Sequence, residues 1–81
     1  MNHKPLFEKV VQQDGLREKV AALLERLRRS AAALETGVED EEHRAGNHDP
    51  AHYAYPIMAR VLSQRRDNLK ATIAVLERHF A

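Results

Sequence analysis

The sequence predicts an all-α protein: an antiparallel hairpin of two long helices preceded by a short one. Apolar residues recur at alternating spacings of three and four along two separate stretches. No stretch alternates polar and apolar residues beyond a few positions, so no strand competes. Ala, Leu, Glu and Arg, all good helix formers, recur throughout the chain.

The N-terminal segment is apolar at Leu6, Phe7, Val10 and Val11, a two-turn amphipathic pattern. Carried back from the following stretch, the heptad puts Phe7 and Val11 off the seam. The expectation is a short first helix at residues 4–13 and a phase break at Asp14-Gly15.

The first long helix is expected at residues 15–36. Val20, Leu27 and Leu34 take position a of a heptad, and Leu16, Leu23 and Ser30 take position d, with Leu24 and Ala31 beside them. Asp14 suits the N-cap and Gly37 the residue just past the C-terminus.

The second long helix is expected at residues 50–80, with Ala59, Arg66, Ile73 and Phe80 at a and Tyr55, Leu62, Leu69 and Leu76 at d. Asp49-Pro50 reads as an N-cap followed by proline at the first helical position. Pro56 removes a hydrogen bond and clashes with the preceding turn. A helical start at 50 with distortion near 56 is therefore expected, the other reading being a short turn over 50–54 and a main helix from about Tyr55.

Residues 37–49 form the connector, and the wider segment 37–56 concentrates the residue types that carry chemistry. It holds three of the five histidines, both tyrosines and the acidic run Glu39-Asp40-Glu41-Glu42. Five acids against Arg44 make this segment acidic, whereas both long helices carry a basic excess inside a net charge of only +1.

At 81 residues the chain is a single helical domain near the size where one core is only marginally stabilising. It has no cysteine, so neither disulfides nor a thiolate metal site can reinforce it. Self-association is the expected remedy: two hairpins forming a homodimeric four-helix bundle. The competing expectation is a monomer in which the short helix folds back as a third element. No apolar run reaches the length of a membrane span, and Met1 to Glu8 contain no signal-peptide core, so a cytoplasmic protein is expected.

Catalysis finds no support. Ser30 and Ser63 lie within expected helices without a His–Asp arrangement, and no glycine-rich phosphate loop occurs. The expected function is a non-enzymatic protein–protein interaction module acting as adaptor, regulator or assembly factor, without cofactor. Its partners are a second copy of itself and another protein, contacted through His43, His48, His52, Tyr53 and Tyr55. Arg66 falls at an a position among Leu62, Leu69 and Ile73, where a charge is costly unless paired and a polar residue can fix register or oligomeric state; the other reading is a slight rotation that lets the guanidinium snorkel to the edge with only its stem buried.

Two further functions follow from the same residues. Arg26, Arg28, Arg29, Arg60 and Arg65 could contact nucleic-acid phosphates, although the interspersed acids and the absence of base-stacking aromatics favour a solvated surface. His43, His48 and His52 are weak candidates for a metal; His48 and His52 share a helical face only if that stretch is helical, and it straddles Asp49-Pro50.

Overall fold

The computed structural model describes residues 4–80, with side chains from residue 15 onward. The described residues form two helices, α1 (Lys4–Ala45) and α2 (Ile57–Phe80), packed antiparallel as a hairpin. Among them there is no strand, and no helix is long and apolar enough to cross a membrane.

α1 departs from expectation at both ends. Its backbone runs through Asp14-Gly15 as one helix, where a separate helix at 4–13 was expected. A single glycine weakens a helix by only about 1 kcal/mol relative to alanine, too little to break a long one. The side chains of Phe7 and Val11, on which the phase break rested, lie outside the described residues.

At the other end α1 passes Gly37 and stops at Ala45. Gly37 serves packing instead of termination: a Cβ built there would come within 3.1 Å of Leu62 Cδ1 on α2. The helix ends at Gly46, whose φ of 68° is open to glycine at little cost. The Gly46 N–H donates to the His43 carbonyl at 3.2 Å and the Asn47 N–H to the Glu42 carbonyl at 3.1 Å, the paired bonds of a Schellman stop.

The acidic run consequently lies in the last turns of α1, where the helix dipole disfavours it. Basic residues offset it locally, with His43 and Arg44 in the final turn and Arg44 donating to Glu41 at 2.6 Å.

α2 begins at Ile57, so residues 46–56 form the connector and the expected helical start at 50 is not found. Asp49 does cap a turn: its Oδ1 accepts the Ala51 N–H at 3.0 Å and its carbonyl the His52 N–H at 3.0 Å. Pro56 prevents that turn from continuing, because it has no N–H to offer and drives Tyr55 away from helical geometry. Its own carbonyl then accepts the Arg60 N–H at 3.2 Å, the first bond of α2.

The core is thin. Val20, Leu24, Ala31 and Val38 of α1 and Tyr55 and Ala59 on the other strand of the hairpin are the buried apolar residues among those described. Val38, Tyr55 and Ala59 form its densest part, with Leu62 against them. On α2 the expected heptad holds for Ala59, Leu62, Arg66, Leu69, Ile73 and Leu76, while Phe80 stays exposed.

On α1 the expected a positions hold, Val20 being buried and Leu27 and Leu34 half-buried, but the second line is shifted by one residue: Leu24, Ala31 and Val38 enter the core, and Leu16, Leu23 and Ser30 are left outside. Ala31 on that line and Ala59 on α2 are both small and buried, while Gly37, on the line of Leu23 and Ser30, is approached by Leu62.

Candidate functional site

Two regions carry the candidate residues: the connector end of the hairpin and the two long sides of the helix pair. At the connector end, Tyr55 is buried with its hydroxyl donating to Glu42 Oε2 at 2.6 Å. The Arg60 guanidinium lies 5.3 Å from the ring centroid, in the range of a cation–π contact, and also donates to the Pro50 carbonyl at 3.0 Å. His48 Nδ1 faces the other Glu42 oxygen at 3.3 Å.

These contacts set the charge states. The Tyr55 hydroxyl bond holds Glu42 below the usual carboxylate range, with His48 adding to the effect and desolvation opposing it. The same bond, with burial, raises Tyr55 above the ordinary phenol value.

His52 organises the rest of the connector. Its Nδ1 accepts the Ala54 N–H at 3.0 Å and lies 3.1 Å from Asn47 Nδ2. Asn47 Oδ1 in turn accepts the Asp49 N–H at 3.0 Å. With Nδ1 occupied as an acceptor, the ring carries its proton on Nε2. Tyr53 stacks on this ring at 4.6 Å between centroids yet is 94% exposed.

The two tyrosines therefore part company, Tyr55 anchoring the fold and Tyr53 standing in solvent. The three histidines do not converge. His48 turns to Glu42, His52 to Asn47 and Ala54, and His43 is exposed on α1. Among the described residues no group of three or more His, Asp or Glu side chains could hold a metal ion.

One side of the helix pair is tied by ions. Arg28 pairs with Glu77, and Arg66 donates through Nη1 to Glu35 at 2.6 Å and through Nε to Asp67 at 3.0 Å. Arg66 thus reaches the edge of the helix pair, where its guanidinium is paired with Glu35 and Asp67. Both carboxylates hold its guanidinium more firmly in the charged form.

Arg28 and Arg60 are drawn into contacts within the chain, whereas Arg26, Arg29 and Arg65 are exposed on the surface. The five arginines proposed for phosphate contact do not act as one patch of free charges.

The opposite side is apolar and open. A groove of about 580 Å³ runs between the helices, lined by Ser30, Ala33 and Leu34 of α1 and by Arg65, Asn68, Leu69 and Thr72 of α2. Leu16 (43% exposed) and Leu23 (38% exposed) continue its α1 wall, because 16, 23, 30 and 34 recur at helical spacing on one face. Val61 and Met58 continue the α2 wall in the same way.

Sequence reasoning assigned Leu16, Leu23 and Ser30 to the core and did not name the groove. The available signal was the doubled apolar positions Leu23-Leu24 and Ala31 to Leu34, which give α1 two apolar faces where a hairpin uses one. Comparison with known protein families, characterised proteins and solved structures found no match.

Proposed function

We propose that this chain is a non-enzymatic protein–protein interaction module of the cytoplasm, working as a homodimeric four-helix bundle. The observation that carries the reading is the division of the hairpin into an ion-paired side and an apolar groove. Charges on the first side are satisfied within the chain. Leu16, Leu23, Val61 and Val75 are exposed around the second, and contiguous apolar surface of this kind marks contact sites.

A thin core argues the same way, since a second apolar face brought out of water adds burial that one hairpin lacks. The exposed Tyr53 and His48 of the connector and His43 of α1 then remain at the ends of the bundle, available to a further protein. Nucleic-acid binding has weaker support, because Arg28 and Arg60 are engaged within the hairpin.

Sedimentation equilibrium tests the proposal. A mass of twice 9.3 kDa is expected for the native chain, and Ala33→Glu, which puts a charge in the groove without touching the core, is expected to give a folded monomer. A strictly monomeric native chain at high concentration would overturn the dimer.

A further inference from the structure

The border of the groove is sorted by charge. Lys19, Arg26, Ala33 and Asp40 recur every seven residues and therefore share one line along α1. Ala33 lines the groove, so the three charged residues border it, and all four are exposed. Before Ala33 the line is basic, and beyond it the line is acidic. Among the described residues none of Lys19, Arg26 and Asp40 is in an ion pair. Glu41, one heptad beyond the groove-lining Leu34, adds an acid at the same end and pairs with Arg44.

Exposed apolar residues accompany both charges. Leu16 and Leu23 lie on the basic half of α1. Met58 and Val61 of α2 lie at the acidic end, because Gly37 meets Leu62 and Glu42 meets Tyr55 across the hairpin. One side of the molecule thus carries a basic apolar surface and an acidic apolar surface. Arg26 and Asp40 are about 21 Å apart along α1 at 1.5 Å per residue, so neither satisfies the other within one chain.

Resting on the dimer reading above, we propose that charge fixes the orientation in which a second copy covers this side: reversed, with Lys19 and Arg26 of each copy facing Asp40 and Glu41 of the other. The two-fold axis then crosses α1 near Ser30 and Ala33, whose small side chains permit close approach. Leu23 of one copy comes level with Met58 and Val61 of the other. The contact is isologous and makes the same charge match twice. A parallel pair would instead set Arg26 against Arg26 and Asp40 against Asp40. Apolar burial supplies the affinity, and the charges exclude the parallel arrangement.

Charge exchange tests this. Lys19→Glu/Arg26→Glu leaves the border acidic throughout, and Asp40→Lys/Glu41→Lys leaves it basic throughout. Each double variant is expected to raise the dimer Kd at least about tenfold in sedimentation, because both contacts then oppose like charges. In a parallel dimer like charges already face each other, so neither variant would weaken it. The quadruple variant, carrying all four changes, restores opposite charges in both contacts and is expected to recover the native Kd. Arg17→Glu/Lys70→Glu alters the net charge as much as the first variant does, on exposed positions away from the groove, and is expected to leave the Kd unchanged. Circular dichroism reports whether each variant keeps its helices.

A native dimer that neither double variant weakens, or a quadruple variant no tighter than the doubles, overturns this orientation and leaves the dimer standing. Equal weakening by Arg17→Glu/Lys70→Glu overturns it too, since net charge would then explain the effect. A monomeric native chain overturns both readings.

Discussion

The Tyr55 hydroxyl donates to the Glu42 carboxylate at 2.6 Å, tying the residue before Pro56 to the last turn but one of α1. This bond closes the hairpin across 13 residues of chain and joins the buried cluster of Val38, Ala59 and Leu62 to the polar connector. Tyr55→Phe keeps the ring in the core and removes only the hydroxyl. A loss of about 1 kcal/mol is expected, read as a lower midpoint in thermal denaturation at fixed protein concentration. Tyr55→Ala also empties the cluster and should cost about 3 kcal/mol or more. Equal effects from the two variants would mean that the hydroxyl bond, not the ring, does all the anchoring.

The same pair sets a pH dependence. Glu42 in the folded chain sits below its ordinary value of 4.5. A carboxylate depressed by folding contributes stability that is complete above the unfolded value and is lost as pH falls through the folded one. Tyr55 is raised above 10.0, so its contribution is complete below that value and is lost as pH rises through the folded one. The hairpin is therefore expected to be insensitive to this pair between about pH 5 and 9 and to weaken on both flanks. Glu42→Gln should flatten the acid flank of a plot of melting temperature against pH, leaving a shallower fall between pH 5 and 3. An unchanged acid flank would remove Glu42 from the account.

The three glycines should answer differently to alanine. At Gly15 an added Cβ meets nothing within 4 Å, so Gly15→Ala should stabilise α1 by up to about 1 kcal/mol. Gly37→Ala gains the same propensity but presses on Leu62 Cδ1 at 3.1 Å. That atom ends a flexible, half-buried side chain and can shift, so a net change near zero is expected. Gly46 has a φ of 68°, and alanine there should cost about 1 kcal/mol or more. The order of melting temperatures, Gly15→Ala above Gly37→Ala above Gly46→Ala, is the measurable outcome.

The heptad on α2 could be read correctly from the sequence because Ala59, Leu62, Leu69, Ile73 and Leu76 keep the three-four spacing, whereas Ile57, Met58, Val61 and Val75 form no continuous line beside it. On α1 the reading failed where two lines compete. Leu23 and Leu24 satisfy a three-four spacing equally well, and it is the burial of Ala31 and Val38, one and two heptads beyond Leu24, that sets the second line of the core. The helix ends were mislocated for a related reason. Gly37 and Gly46 are both possible stops, and the choice depends on Val38 entering the core and on the Glu42–Tyr55 bond, neither of which is a local property. Pro56 was correctly marked as an obstacle, but the preference between a kink and a break was decided by the hydrogen bonds of Asp49 and His52 within the connector. The groove escaped notice because it is made of what the chosen core line left over.

Arg66 is the residue for which sequence and structure make the most different uses of one position. Its heptad place suggested a polar residue inside the seam that fixes oligomeric state. In the fold its guanidinium lies at the ion-paired edge, bonded to Glu35 and Asp67, away from the groove through which the dimer is proposed to form. Arg66→Leu would replace a paired charge by apolar bulk between Leu62 and Leu69. Glu35 and Asp67 are both well exposed and can turn to water, so no buried charge is stranded. The expected result is an unchanged sedimentation mass and a stability within about 1 kcal/mol of the native chain. A changed mass would return Arg66 to the specificity role that its heptad position suggested and would move the dimer contact to the other side of the hairpin.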